Sequence, residues 1–223
     1  MNKTYYVTIP TEDIVKYRDN KQFILILRLA RFINTVRFSW QITKDYIKNS
    51  TPAASRQQTQ AFLYMCALLY EFFKNIYDDL EKEFKDYQSF KDGLLKIKND
   101  PERIILHSTL FNHIRDKIEF HFDMDVISTG LFGYLEDNKN TESLIFGASH
   151  SDETLDMYYN VADELTLSYL KSLSPQESDF LSDFKKAAKK VSELSVKINR
   201  ASDELIADVL NNIGFKIEET KNE

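Results

Sequence analysis

Side chains that could carry out chemistry are concentrated in one stretch of the chain, residues 111–125. Arg115, Asp116 and His121 lie within it, in a chain that otherwise alternates apolar and charged residues typical of helical scaffold. A guanidinium binds phosphate or carboxylate oxygens, and an imidazole exchanges protons near neutral pH. The sequence therefore predicts that a catalytic or binding site of this chain lies in this stretch.

The apolar residues of this stretch have the spacing of a helix. Its predicted buried stripe consists of Phe111, Ile114, Ile118 and Phe122. On a regular helix Arg115 and His121 fall about 60° to either side of Ile118, and about 9 Å apart along the axis. Both side chains are thus expected to border the buried face and to frame a shallow, solvent-accessible cleft.

The order Arg115, Asp116, four residues, His121 resembles the motif of the HEPN superfamily, in which an arginine and a polar residue are followed after a few positions by a histidine. The resemblance implies a helical bundle and a metal-independent ribonuclease, or a relative that has lost activity. It also implies a homodimer in which the arginine and histidine of both subunits meet in one cleft. Arg115 would hold the scissile phosphate, His121 would act as general acid or base, and Asp116 would orient Arg115 or a partner group.

Three alternatives remain open at this point. In the first, the pair is structural: Arg115 pairs with a carboxylate and His121 caps an edge of the core. In the second, the chain is a non-catalytic interaction module that uses the same helix for dimerisation, which would explain why Phe120 is predicted to point into solvent. In the third, it is a metal-dependent hydrolase that uses His121, Asp123 and Asp125. The Glu-x-x-His spacing of di-iron bundles is absent, which argues against a di-iron site, and the leading prediction includes no metal and no cofactor.

Other chemically capable residues have simpler interpretations. His107 is expected to be a core histidine and His150 a surface residue of a turn, and Cys66, the only cysteine, is expected to pack in an apolar helix. The arginines of the first long helix recur at intervals of three and six, which is typical of a solvated helix face; they are Arg28, Arg31 and Arg37.

Composition places the chain among ordinary globular proteins. It has 223 residues, of which 43% are hydrophobic and 29% charged, and only five glycines and four prolines, so long helices are favoured over a turn-rich β fold. A net charge of -6 disfavours general coating of nucleic acid, although not a local phosphate contact. The N-terminus has no apolar signal segment, the apolar run 61–70 is too short for a bilayer, and a cytoplasmic location without membrane contact is expected. The resemblance to the HEPN superfamily implies RNA and an antitoxin or regulatory protein as partners.

The predicted architecture is a single domain over residues 1–223, mainly α, an antiparallel bundle of four to five helices with a small β-hairpin. The predicted helices span about 21–48, 54–84, 101–122, 159–173 and 174–213. A short strand is predicted near 4–9, the hairpin within 142–159, and a charged, fraying tail over 215–223. Residues 123–140, which contain two glycines and an Asp-Asn-Lys-Asn run, are predicted to be mostly loop.

Overall fold

The computed structural model describes residues 3–6, 11–47, 52–115, 124–139, 148–149, 157–158, 160–172, 180–215 and 218–221. Its helices are α1 (Thr11–Tyr17), α2 (Lys21–Ile47), α3 (Pro52–Glu71), α4 (Tyr77–Phe84), α5 (Gln88–Asp92), α6 (Leu94–Lys98), α7 (Pro101–Leu106), α8 (Met124–Asp137), α9 (Asn160–Ser172) and α10 (Phe180–Asn212). Two five-residue π-helical turns, Phe72–Ile76 and His107–Phe111, continue α3 and α7, and Ile114 and Arg115 are π-helical as well. The prediction of a mainly helical protein is confirmed.

The core lies between α2, α3 with α4, and α10, which pack on one another. Asn20 caps α2, since its side-chain oxygen accepts the Phe23 amide at 2.9 Å. The buried stripe of α2 recurs at helical spacing: Phe23, Ile26, Leu29, Ile33 and Val36. The middle of α3 is buried nearly all round, as predicted, and α10 contributes one apolar stripe that ends near Gly214, whose φ of 95° suits a residue without a Cβ.

The third predicted helix begins where the sequence indicates. The Asp100 side chain accepts the Glu102 amide at 2.9 Å, and Pro101 occupies the first helical position. Helical backbone continues from Pro101 to Arg115. The predicted remainder of this helix, residues 116–122, lies outside the described residues.

The predicted loop over residues 123–140 is wrong: Met124–Asp137 is the helix α8, packed closely against α9. The glycines that suggested a loop are instead points of helix contact. A Cβ on Gly130 would lie 2.2 Å from the Leu165 carbonyl oxygen, and one on Gly133 would lie 2.5 Å from Ser168 Oγ. At Gly130 the backbone of α9 is so close that only glycine fits, whereas at Gly133 the near atom is a side-chain hydroxyl that can rotate away. Neither glycine ends α8.

Strand structure is limited among the described residues. Lys3–Tyr6 (β1) pairs antiparallel with Glu218–Lys221 (β4), a pairing that differs from the fraying tail predicted over residues 215–223. Ala148–Ser149 (β2) pairs with Met157–Tyr158 (β3) over two residues only. This bridge is too short to support the predicted hairpin, much of which falls on residues 140–147 and 150–156, outside the described residues.

Candidate functional site

Arg115 lies at the edge of the core, where the helical spacing predicts it. Its neighbour Ile114 and Phe111, one turn earlier, are fully buried, whereas the Arg115 side chain is 25% exposed. The buried pair fixes the rotation of this segment about its axis, and the guanidinium is thereby directed to the boundary between core and solvent.

Two residues at the end of α3 hold the Arg115 guanidinium. Its Nε donates to Oε1 of Glu71 at 2.8 Å, and its carbon lies 5.5 Å from the centre of the Tyr70 ring. The Glu71 side chain is 31% exposed, so the ion pair is at the surface rather than sealed in the interior. This is the carboxylate contact of the structural alternative, and it weighs against catalysis because a phosphate must compete with Glu71 for the cation.

His107 shares the Tyr70 ring with Arg115. The rings of His107 and Tyr70 are stacked, with centroids 5.1 Å apart and an angle of 16° between their planes. Phe73 and Phe111 contact the His107 ring edge-on. The expectation of a core histidine is met in part, since His107 is half-buried among aromatic rings. An imidazole and a guanidinium thus contact one tyrosine, an arrangement that the spacing of these residues along the chain does not predict.

Both π-helical turns flank this cluster, which we call the Tyr70 cluster: Tyr70, Glu71, His107 and Arg115. One turn follows Glu71 directly and the other begins at His107, and the α3 segment packs against the second turn. Single π turns within helices occur frequently at functional sites. No residue type or spacing is specific to a π turn, so these turns could not be predicted from the sequence.

Near the cluster, Arg103 and Tyr77 each have a buried side-chain atom without a hydrogen-bond partner among the described residues. The Arg103 guanidinium lies 4.6 Å from the centre of the Phe73 ring and donates to the Lys98 carbonyl, but its Nε finds no hydrogen-bond partner among the described residues. The buried Tyr77 hydroxyl also lacks one there. Burial raises the pKa of Tyr77 and lowers that of Arg103, and the carboxylates of Glu81 and Asp78 raise the pKa of Tyr77 further. The phenol is therefore neutral at physiological pH.

The remaining members of the predicted site fall outside the described residues. Asp116, Phe120, His121 and Asp123 all belong to residues 116–123, so the predicted meeting of Arg115 and His121 stays a prediction. His150 lies outside as well. Of the metal alternative only Asp125 is described, as an exposed residue at the start of α8. Within the described ranges no group of three or more His, Cys, Asp or Glu side chains is placed to hold a metal ion.

The arginines of α2 connect helices at the surface. Arg28 pairs with Asp79 at 2.9 Å and Arg37 with Asp203 at 2.5 Å, and all four side chains are about half exposed. Arg31 is exposed too. The predicted solvated face is confirmed, and Cys66 is fully buried as expected.

We expect His107 to make stability depend on pH. Burial lowers the pKa of the imidazole, and the positive charge of Arg103 lowers it further. In the unfolded chain the imidazole has a pKa of about 6.5, so as the pH falls below that value the unfolded chain binds a proton at His107 before the folded protein does. The stability that comes from keeping His107 neutral is therefore fully present above about pH 6.5 and is lost as the pH falls towards the lower pKa of the folded protein. The Tm of the wild type should fall more between pH 7 and 5 than that of His107→Phe, which keeps an aromatic ring against Tyr70. Parallel Tm curves for the two proteins would contradict this assignment.

Comparisons with known proteins give no family for this chain: no family model, no curated protein and no solved structure matches it. In the helices that are described, none combines the length and apolar character needed to cross a bilayer.

Proposed function

We propose that this chain is a HEPN-like protein that binds RNA and cleaves it without a metal ion, acting as a homodimer with Arg115 and His121 as the reacting pair. The observation that supports the proposal best is the position of Arg115. Its side chain is partly exposed at the edge of the core and lies beside the Tyr70 ring, and the Glu71 carboxylate that pairs with it is the group that a phosphate would displace. An oriented guanidinium next to solvent suits the oxygens of a phosphodiester.

In the proposed reaction His121 takes the proton from an RNA 2′-hydroxyl, and the freed oxygen attacks the adjacent phosphorus. The bond from phosphorus to the 5′ oxygen of the next nucleotide breaks, and that oxygen takes a proton from His121 of the second copy, which acts as the general acid. The products are a 2′,3′-cyclic phosphate and a 5′-hydroxyl end. Arg115 stabilises the charge that develops on the phosphoryl oxygens, and Asp116 orients Arg115.

The charge of the protein restricts how RNA would bind. With a net charge of -6 the surface as a whole does not attract phosphate, and Arg28 and Arg37 are already engaged by carboxylates. Contact with RNA is therefore local to the Arg115 region. We place this activity in the cytoplasm, in a toxin or defence setting, with an antitoxin or regulatory protein as a further partner.

The direct test incubates the purified protein with total RNA in the presence of a chelator and determines the chemistry of the new ends. We expect cleavage to persist and to leave 2′,3′-cyclic phosphate and 5′-hydroxyl ends. Cleavage that the chelator stops would favour the metal-dependent hydrolase that uses His121, Asp123 and Asp125. An intact RNA population would contradict the proposal.

The Glu71 ion pair gives a second prediction. If Arg115 binds phosphate, Glu71→Gln removes its competitor, and RNA affinity should rise by up to about fivefold, since a partly exposed ion pair contributes about 0.2–1 kcal/mol. Binding is measured in a His121→Ala background, which keeps the RNA intact. Asp203→Asn removes the equivalent partner of Arg37 and serves as the matched control, with no change expected. Weaker binding by Glu71→Gln would show that Glu71 does not compete with RNA.

The interaction module is the second candidate, and one observation favours it. The outer face of α8 exposes large apolar side chains, with Met124 76% and Phe132 75% exposed. Such a face is expected where another protein surface binds. Self-association without RNA cleavage would make this the better reading.

A further inference from the structure

Two helices carry exposed apolar side chains aligned in a stripe. On α8 these are Met124, Leu131, Phe132 and Leu135, which are 42–76% exposed. On a regular helix Met124, Leu131 and Leu135 fall within about 40° of one another, and Phe132 lies about 60° further round the helix. The opposite face of α8, with Val126 and Tyr134, is buried. We call the exposed set the α8 stripe.

The second set lies on α2, on the side away from the core. It consists of Ile24, Leu27 and Phe38, which are 48–65% exposed, with exposed Arg31 among them. These four positions fall within about 60° on a regular helix. We call them the α2 stripe. The two stripes have similar lengths, about 16 Å on α8 and about 21 Å on α2.

The charges of the two helices are opposite. α8 contains three acidic residues and no basic one. α2 contains five basic residues and one acidic, but Lys21, Arg28 and Arg37 pair with carboxylates of the same chain, so the described basic side chain that the α2 stripe offers to a second copy is Arg31. Asp125 and Glu136 border the α8 stripe on the side of Phe132, and Arg31 lies within the α2 stripe. An α8 stripe facing another α8 stripe would bring like charges together, whereas an α8 stripe facing an α2 stripe pairs unlike charges.

Because both stripes remain exposed in a single chain, we infer that the protein self-associates, with the α8 stripe of one copy packed on the α2 stripe of a second copy. Twofold symmetry then uses the contact twice, so one closed dimer covers all four stripes. Neither stripe contains Arg115 or His121, and the inference does not depend on RNA cleavage. It names the surface through which the copies meet.

The test measures the mass of the full chain by sedimentation over a dilution series. The wild type should sediment at twice the 26.2 kDa of one chain. Phe132→Asp on the α8 stripe and Phe38→Asp on the α2 stripe should each sediment as a monomer. Val15→Asp on α1, at a side chain 58% exposed and outside both stripes, is the matched control and should remain a dimer.

Mixing the two variants distinguishes this arrangement from other dimers. Phe132→Asp keeps an intact α2 stripe and Phe38→Asp an intact α8 stripe, so their equimolar mixture should form a heterodimer through one contact, weaker than the wild-type dimer. Circular dichroism establishes that each variant is folded. If an aspartate variant is unfolded, the alanine variant at the same position, Phe132→Ala or Phe38→Ala, replaces it. The expected result is then a dissociation constant of the dimer higher than that of the wild type.

Four results would overturn the inference. The wild type could be a monomer, or the equimolar mixture of the two variants could stay monomeric. Alternatively, Phe38→Asp or Phe132→Asp alone could form a dimer as strong as that of the wild type. A monomeric wild type would also contradict the homodimer of the proposed function, whereas the other three results concern only the docking surface. RNA cleavage itself is decided by the analysis of RNA ends.

Discussion

Arg115→Ala and His121→Ala are each expected to abolish RNA cleavage while the protein unfolds at nearly the wild-type temperature. Loss of a preorganised group that stabilises developing charge costs about 10²–10³ in rate, and loss of a general acid or base about 10²–10⁴. The Arg115–Glu71 pair is 25% and 31% exposed, so its removal should cost at most about 1 kcal/mol of stability. Cleavage is followed on labelled RNA, and unfolding by circular dichroism.

The matched control is Arg37→Ala. It also removes an arginine from a partly exposed ion pair, with Asp203, but on the α2 face and away from the Tyr70 cluster. We expect it to cleave RNA at the wild-type rate. Should Arg115→Ala and His121→Ala instead melt far below the wild type, the pair is structural and the interaction module becomes the better description.

Ile114→Ala is expected to destabilise the protein by about 2–5 kcal/mol, because a fully buried aliphatic side chain is replaced and a cavity remains. Ile114 precedes Arg115, so its burial is what anchors the motif segment to the core. Ile105→Ala, in the same helical segment, removes the same atoms from a side chain that is 62% exposed and should cost under about 0.5 kcal/mol. Urea unfolding at one fixed protein concentration measures both.

A similar loss for the two isoleucine variants would contradict this account of the anchor. It would mean that the rotation of the segment, and with it the direction of Arg115, is not set by burial of Ile114. The difference between the variants is the informative quantity, since both share the same change in side-chain chemistry.

The helices that could be predicted from the sequence are those with a local signal. The alternation of buried and exposed positions in α2 and the Asp100-Pro101 start of α7 depend on residues within a few positions of one another. The glycines of α8 carry no such signal, because their role depends on Leu165 and Ser168 of another helix. Judged only by their neighbours in the sequence, these glycines predict an interruption of helical structure, and residues 123–140 are therefore predicted to be loop.

The candidate site also has one part that could be predicted from neighbouring residues and another that depends on distant ones. That Arg115 borders the core follows from its spacing to Phe111 and Ile114. Its contacts with Tyr70 and Glu71 could not be predicted, since they join residues 44 or more positions apart. The approach of His107 to Tyr70 depends on the same packing and on π turns that have no sequence signature.

The central claim, that Arg115 and His121 act on one phosphodiester, is tested most directly by a double-mutant cycle on kcat/KM for RNA cleavage. The four proteins are the wild type, Arg115→Ala, His121→Ala and the double variant. Residues that act as a unit are not additive, so the double variant should be hardly slower than the slower single variant. Losses that multiply in the double variant, or single variants that cleave at the wild-type rate, would contradict the claim.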